Sequence, residues 1–145
     1  MKFEFSFEGN LAAAPELEVT KGSGQEVCRM RVAHNRRRKN TDGQWVDDMP
    51  MWIAVTAWGD LAKRCAELGK GDTVYVDARD DLGVWAFQRK DGTPGGVLEV
   101  TATNVAVSMR FAGAKVVPDE KPTGDTWDPT AEQQPEQQRE LEHSF

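Results

Sequence analysis

The sequence of 145 residues has no long hydrophobic run and few of the residues on which metal and thiol chemistry depend. No stretch of about eighteen apolar residues occurs, so neither a membrane-spanning segment nor a membrane partner is predicted. The two cysteines, Cys28 and Cys65, form no C-x-x-C pair and the two histidines are scattered, so no metal site is predicted. Each cysteine falls at the strand or helix spacing of the apolar residues around it. This spacing predicts that both are buried free thiols, which suit a reducing cytoplasm.

The sequence also lacks the recurrent motifs of catalytic sites, because it has no nucleophile elbow, no P-loop and no H-E-x-x-H. Its many carboxylates allow chance acid–base pairs, but no group of residues has assignable catalytic roles. We therefore predict a protein that is not an enzyme and uses no cofactor. The first five residues already alternate like a strand, which is unlike a signal peptide and predicts a cytoplasmic protein.

Acidic residues outnumber basic ones, 24 against 18, and the net charge of −6 by itself argues against a polyanionic partner. The excess is uneven, however. Residues 1–110 carry 15 basic and 16 acidic residues, a balance of −1, whereas residues 111–145 carry 3 and 8, a balance of −5. The second segment is also rich in proline and glutamine. We therefore predict a folded domain over residues 1–110 and a disordered acidic tail over residues 111–145.

Residues 51–58 carry the most informative pattern, Met-Trp-Ile-Ala-Val-Thr-Ala-Trp. At the two-residue period of a strand, Ile53, Val55 and Ala57 share one face, which is the natural core face. Trp52 and Trp58 then stand on the opposite face and point away from the core. Large exposed rings need a partner that covers them, and a nucleotide base offers a flat π-face. The alternative interpretation is a strand buried on both faces.

Basic residues cluster just upstream of this strand. Six cations and no acid lie within residues 27–41: Arg29, Arg31, Arg36, Arg37, Arg38 and Lys39. Cations that hold a phosphate backbone and aromatic rings that stack bases are the two components of single-strand binding. Together with Trp52 and Trp58, the cluster is therefore a candidate nucleic-acid face. The alternative for residues 36–39 is a solvated, flexible loop.

The order of predicted elements is that of an all-β barrel. Alternating apolar residues predict strands over residues 3–9, 27–34, 51–58, 73–79 and 97–107, with a polar loop at residues 35–48. A hairpin-like segment carries Trp85 and Phe87 on one face, ahead of a turn at Asp91-Gly92.

One short helix is predicted between the third and fourth strands. Asp60 is its predicted N-cap, and Leu61, Cys65 and Leu68 form its apolar stripe. Three strands, a helix and two further strands are the order of the five-stranded Greek-key barrel called the OB-fold. Proteins of this fold bind oligonucleotides and oligosaccharides.

The body of the chain, residues 9–107, resembles the bacterial-type single-stranded DNA-binding proteins. The matching motifs lie in the family's order and spacing: Gly9-Asn10-Leu11, Pro15-Glu16-Leu17, Val32-Ala33, residues 52–62, residues 70–76 and residues 99–102. The resemblance implies an OB-fold, usually assembled as a homotetramer. It also implies a protein that coats single-stranded DNA without sequence preference in replication, recombination and repair, at the nucleoid of the cytoplasm.

The resemblance further implies which side chains stack bases. The family carries one aromatic residue at the start of the third strand, one before the helix and one in the hairpin after the fourth strand. These positions correspond to Trp52, Trp58 and Trp85, and Phe87 shares the parity of Trp85. Tyr75, on the outer face of the predicted fourth strand, is a candidate contact between subunits.

Three features depart from the family pattern. Ala78 stands where a glycine commonly follows the fourth-strand acid, and Asp80-Asp81 occupy a hairpin entry that often carries bases. The C-terminal end keeps acids and a terminal phenylalanine but lacks a run of aspartates and a proline. Leu141 and Phe145 are the candidate contacts for replication and repair proteins. The alternative function is an OB-fold adaptor whose main ligand is a protein.

Overall fold

The computed structural model describes residues 1–119, and within them the chain forms nine strands and one short helix. The elements are β1 (Phe5–Leu11), β2 (Glu16–Val19), β3 (Glu26–His34), β4 (Arg37–Lys39), β5 (Trp45–Asp47), β6 (Met51–Trp58), α1 (Asp60–Cys65), β7 (Thr73–Ala78), β8 (Gly83–Gln88) and β9 (Pro94–Val107). Met1–Ala114 make up one compact unit. In this described part of the chain, no helix has the length and apolar character needed to cross a membrane.

Five strands close into a barrel in which each strand pairs with two others. β1 pairs with β3 and β7, β9 pairs with β7 and β6, and β6 pairs with β3. These pairs are antiparallel except β6–β9, which is parallel. β2 extends the sheet beyond β3, and β8 pairs with β9 outside the closed path. A closed five-stranded barrel with one short helix is an OB-fold, so the predicted fold class is confirmed.

The inner faces of the strands supply the core, as the alternation of the sequence predicts. Ile53, Val55 and Ala57 of β6 are at most 1% exposed. The same holds for other positions predicted to point inward, which are buried: Cys28, Met30 and Val32 of β3, and Val74 and Val76 of β7. Each large aliphatic side chain buried in this way contributes about 1.5–3 kcal/mol. The rigid core fixes which side chains of β3 and β6 point outward.

Barrel closure brings β1 unusually close to β3 at Gly9. A Cβ atom on Gly9 would lie 2.6 Å from Cγ1 of Val32 and 2.7 Å from the carbonyl oxygen of Ala33. Next to this contact, Nδ1 of His34 donates a hydrogen bond to the carbonyl oxygen of Glu8 at 2.6 Å. The position therefore requires glycine because the neighbouring backbone cannot move away without opening the barrel.

The start of α1 differs from the prediction. Gly59, rather than Asp60, is the N-cap, and no side chain caps the helix. The chain turns sharply from β6 into α1 with φ 66° and ψ −136° at Gly59, a conformation that glycine adopts and that residues with a Cβ avoid. Asp60 instead lies in the first turn, 3.6 Å from Nζ of Lys63. The helix buries Ala62 and Cys65 and ends before Leu68, which still packs against the core.

The predicted polar loop at residues 35–48 is instead a two-stranded sheet, β4–β5. Oδ1 of Asn40 accepts hydrogen bonds from the backbone N–H groups of Asp42 at 3.0 Å and Gln44 at 2.9 Å. Gly43, with φ 76°, completes the turn. The turn, which the side chain of Asn40 organises, sets the register of β4 against β5. The alternation of polar and apolar residues alone does not reveal this register.

Strand ends also shift from their predicted places. β1 begins at Phe5 rather than Phe3, whose side chain is exposed. β2 was not predicted, since all four of its residues are exposed and no core pattern marks it. β9 begins at Pro94, three residues earlier than predicted, because β8 pairs with this extension as far as Gln88.

Candidate nucleic-acid interface

The outer face of β3 and β6 carries the aromatic and basic residues that the sequence predicts. In the register of these two strands, Trp52 lies opposite Ala33, and Arg31 lies opposite Ala54. Small side chains thus alternate with large ones across the sheet. This alternation leaves room around the ring of Trp52 and the guanidinium of Arg31 on the outer surface.

Trp52 and Arg31 contact each other directly. The guanidinium carbon of Arg31 lies 4.1 Å from the centroid of the Trp52 ring, which is a cation–π geometry. Trp52 is only partly buried, so the outer face of β6 is not covered as its inner face is. The alternative interpretation of β6 as a strand buried on both faces therefore does not hold. The pair therefore presents a positive charge and a flat ring at one place on the barrel.

Trp58 lies at the other end of the outer face of β6. It pairs with Val27 of β3 and is 40% exposed. The following residue, Gly59, donates a backbone hydrogen bond to the carbonyl oxygen of Glu26 at 2.9 Å. This bond ties the end of β6 to β3, at the point where the chain leaves the sheet for α1.

Trp85 joins the same face from β8. It pairs with Val97 of β9. The next residue of β9, Leu98, pairs with Ile53 of β6, which follows Trp52, so Val97 lies beside Trp52. Trp52, Val97 and Trp85 therefore succeed one another across three strands. Trp85 is 59% exposed, so its ring is available to a ligand.

Phe87 lies further along β8 and covers a glycine. A Cβ atom on its partner, Gly95, would lie 2.7 Å from Cε2 of Phe87, so the ring rests on the backbone of β9. The guanidinium carbon of Arg89 is 5.9 Å from the ring centroid. Phe87 remains 42% exposed, but its ring already has a packing role and is a smaller platform than Trp85.

A shallow groove of about 330 Å³ runs between β3, β6, β8 and β9. Arg29 lines it, and Nη1 of Arg29 donates a hydrogen bond to Oε2 of Glu18 on β2 at 2.7 Å. Glu99 and Asp81 also line the groove. A carboxylate of Asp81 lies 3.3 Å from Arg79. The groove is therefore less positive than the sequence predicts, since Glu18 pairs with Arg29 and two further acids, Asp81 and Glu99, line the same groove.

The remaining predicted cations lie on the β4–β5 hairpin, where acids face them. The nitrogen–oxygen distances are 3.6 Å for Arg36–Asp48, 3.5 Å for Arg37–Asp47 and 3.9 Å for Arg38–Asp48. The sequence run has no acid, but the hairpin returns Asp47 and Asp48 beside it. All of these side chains are at least one third exposed, so the ion pairs are weak and exchangeable.

Trp45 is a candidate residue that sequence reasoning missed. It lies on β5 opposite Lys39, is 59% exposed, and has Nζ of Lys39 at 5.5 Å from its ring centroid. A tryptophan two residues after the turn glycine Gly43, with four cations four to seven residues upstream of that glycine, was the available signal.

The two cysteines are free and buried in the core, as predicted. Burial raises the pKa of the Cys28 thiol, and burial together with the nearby Cys28 raises the pKa of Cys65 to about 12. Both thiols are therefore protonated at neutral pH and act as small apolar side chains. Leu141 and Phe145, the predicted partner-binding residues, lie outside the described residues.

The profile of the Single-strand binding protein family matches residues 3–108. The single-stranded DNA-binding protein of Bifidobacterium longum (strain NCC 2705) is 36% identical over 110 residues, which cover 74% of this chain and 49% of that protein. Single-stranded DNA-binding protein 2 of Chlorobaculum tepidum (strain ATCC 49652 / DSM 12025 / NBRC 103806 / TLS) is 34% identical over 98 residues, 67% of this chain and 64% of that protein. The aligned region thus spans about half to two thirds of these relatives.

A solved structure shows the same fold. The crystal structure of a small single-stranded DNA-binding protein from Streptomyces coelicolor superposes with a TM-score of 0.59 and 23% identity, covering 75% of this chain and 96% of that one. The family match over residues 3–108 extends from before β1 to the end of β9. The chain therefore belongs to the single-strand binding protein family.

Proposed function

We propose that this chain binds single-stranded DNA without sequence preference through the outer face of β3, β6 and β8. The observation that carries the proposal is the guanidinium of Arg31 at 4.1 Å from the ring of Trp52, with Trp58 and Trp85 exposed on the same face. A cation beside flat rings matches a phosphate backbone with unstacked bases. The similar proteins of Bifidobacterium longum and Chlorobaculum tepidum are called single-stranded DNA-binding proteins.

Lack of sequence preference follows from the chemistry of these groups. Every base has a π-face, so stacking on an indole tolerates any sequence. Arg31 lies over Trp52, and its guanidinium N–H groups can donate to a phosphate oxygen of any nucleotide. The proposed role is to bind and protect DNA, not to transform it.

Tryptophan fluorescence during a poly-dT titration tests the proposal. Stacking on Trp52, Trp58 and Trp85 should quench the emission strongly, and added salt should weaken binding. Heparin at equal charge is the matched control, because it carries anions but no bases. Emission that does not change with poly-dT, or that changes equally with heparin, contradicts the proposal and favours an OB-fold adaptor with a protein ligand.

The proposal extends to assembly and cellular role. We infer a homotetramer that coats DNA during replication, recombination and repair, at the nucleoid of the cytoplasm. Tyr75 supports a subunit contact on the side of the barrel formed by β1 and β7, because it is 42% exposed and its hydroxyl donates to Oγ of Ser6 at 2.8 Å. Light scattering at micromolar concentration tests the assembly, and a monomer mass would contradict it.

For the segment from residue 111 onward, we propose an acidic tail that is not needed for DNA binding. Its net charge of −5 should compete with DNA for the cations, so its removal should raise affinity modestly at low salt and less at high salt. Leu141 and Phe145 are the proposed contacts for replication and repair proteins. Retrieval of the same host proteins with and without the last six residues would contradict that role.

A further inference from the structure

β2 is an edge strand with one open side. Among residues 1–119 it pairs with β3 alone, and it stands at the end of the strand order of the sheet. All four of its residues, Glu16–Val19, are exposed. The open side therefore presents backbone donors and acceptors to the surroundings, and such a strand edge is a template on which a further strand can form.

The hydrogen-bond alternation shows which backbone groups face the open side. The N–H of Thr20 donates to the carbonyl oxygen of Gln25 at 2.9 Å, and in an antiparallel ladder every second residue bonds to the same neighbouring strand. Counting back by two from Thr20 gives the glutamates of β2, which therefore bond to β3. The N–H and C=O groups of Leu17 and Val19 point the other way, to the open side.

The side chains of β2 divide between an acidic face and an apolar face. Glu16 and Glu18 lie on the outer face that also carries Arg29, and β2 itself contains no base. Leu17 and Val19 lie on the other face and are 44% and 62% exposed. Residues opposite each other on neighbouring strands share a face, so an added strand fits best with bases opposite the glutamates and apolar residues opposite Leu17 and Val19.

A second copy of β2 is a poor occupant of the open side. When two copies of this strand pair with their outer faces on the same side, glutamate falls opposite glutamate, and like charges directly opposite each other are destabilising. Charge on an exposed edge discourages self-pairing in this way. The same negative charge favours a cationic strand.

The carboxylate of Glu18 already binds one cation. Nη1 of Arg29 donates to its Oε2 at 2.7 Å, and the side chains of Arg29 and Glu18 are 55% and 59% exposed. An ion pair with this exposure has little net strength, so a lysine or arginine of an added strand can take the place of Arg29. Arg29 lines the groove between β3, β6, β8 and β9, and its release from Glu18 leaves an unneutralised cation there.

We propose that the open side of β2 binds an extended segment of a partner protein in which basic and apolar residues alternate. The segment adds to the sheet as a strand. Its backbone bonds to Leu17 and Val19, its apolar side chains cover theirs, and its cations pair with Glu16 and Glu18. Because the pairing with Glu18 displaces Arg29, docking of the segment strengthens DNA binding, and this coupling alone rests on the proposed function.

A synthetic peptide tests the docking in the absence of DNA. Labelled acetyl-Lys-Val-Arg-Val-Lys-Val-amide should bind the full chain and raise the fluorescence polarisation. A peptide of the same composition, with three valines before three bases, is the matched control and should not bind. N-methylation of the valine amides should abolish binding, because these amides are the donors to β2. Equal binding of the alternating and control peptides would show attraction by charge only and would overturn the proposal.

Substitution of the two glutamates locates the site. The double variant Glu16→Gln, Glu18→Gln should bind the alternating peptide about two- to thirtyfold more weakly, the effect of losing two exposed ion pairs. The double variant Asp42→Asn, Glu67→Gln removes the same charge outside β2 and should bind like the unmodified chain. Equal weakening in both variants would overturn the proposal. Self-association that depends on Glu16 and Glu18, without binding of the peptide, would assign the open side to a second copy and would also overturn it.

Titration with oligo-dT, with and without the alternating peptide, tests the coupling. Saturating peptide should raise the affinity for oligo-dT about two- to fivefold at low salt, because it frees Arg29, and the control peptide should not. Arg29→Ala should still bind the peptide but lose this gain. A gain that persists in Arg29→Ala would overturn the coupling. Failure of the unmodified chain to bind oligo-dT would instead overturn the proposed function, while the peptide measures the docking independently.

Discussion

Nη1 of Arg29 donates a hydrogen bond to Oε2 of Glu18 at 2.7 Å. This contact joins the candidate DNA face to the edge strand β2, and it makes Arg29 unlike Arg31. The two arginines alternate along the same face of β3, yet one is neutralised by a carboxylate and the other lies over an aromatic ring. The sequence shows them as equivalent, and the structure gives them different neighbours.

Arg31→Ala should therefore weaken poly-dT binding more than Arg29→Ala. Arg31 can meet a phosphate without giving up an ion pair, whereas Arg29 must first leave Glu18. Fluorescence titration at moderate salt measures both. Glu18→Gln supplies the complementary case, since freeing Arg29 should raise affinity. Equal losses for the two arginine variants would mean that Glu18 does not hold Arg29 in solution.

Trp52→Ala should weaken poly-dT binding by about 1–3 kcal/mol, the effect of removing one stacking surface. The unfolding free energy should change by about 1 kcal/mol or less, because the ring lies on the outer face beside Arg31 and is not part of the core cluster. Trp52→Phe is the control that keeps a ring. A lower melting temperature with unchanged affinity would assign Trp52 to the core.

Changing Arg36, Arg37 and Arg38 together to Ala should flatten the salt dependence of binding. Each phosphate neutralised on a single strand contributes about −0.7 to the slope of log K against log salt. The matched control changes Lys2, Lys21 and Lys70 to Ala, which removes the same charge outside the hairpin. If both triple variants have the slope of the unmodified chain, the hairpin cations do not contact DNA.

Gly9→Ala should destabilise the barrel by about 1–3 kcal/mol, because the new methyl group would overlap Val32 and the backbone of Ala33. Thermal unfolding followed by circular dichroism measures the loss. Gly69→Ala is the control, since a Cβ there lies 3.8 Å from Asp72, an ordinary contact. Similar melting temperatures for the two variants would mean that β1 moves aside to admit the methyl group.

The buried thiols should become a source of instability at alkaline pH. The pKa of Cys65 is about 12 in the fold, above its ordinary value of 9.0, because burial disfavours the thiolate. The stability that depends on the neutral thiol is complete below pH 9 and is lost as the pH rises toward 12. Chemical unfolding from pH 8 to 11 should show a smaller loss for Cys65→Ala, and identical profiles would contradict the assignment.

Period-two alternation predicted the inner faces of β3, β6 and β7, because burial against one core is a local property of each strand. It also placed Trp52 and Trp58 on the outer face without knowledge of the pairing. Resemblance was needed to add Trp85, whose strand β8 is exposed along its whole length and has no core-facing pattern.

Properties that depend on two distant segments could not be predicted in this way. The partners of Arg29 and Arg37 are Glu18 and Asp47, and each lies on a strand whose register is fixed by a turn. At the hairpin the turn depends on the side chain of Asn40. The pairing of Arg37 with Asp47 therefore cannot be predicted by counting charges that are close together in the sequence. Gly59 rather than Asp60 is the N-cap for a similar reason, because the bend after β6 requires a backbone conformation that glycine adopts.

The parallel pairing of β6 with β9 also determines how the protein can fold during synthesis. β9 is the last strand of the barrel, and it supplies partners to both β6 and β7. A nascent chain that has completed β6 therefore carries an open strand edge until β9 leaves the ribosome. Non-local pairings of this kind form in milliseconds to seconds, and open edges aggregate. The time for which the edge of β6 stays open depends on how long the ribosome takes to synthesise the chain between Trp58 and Pro94.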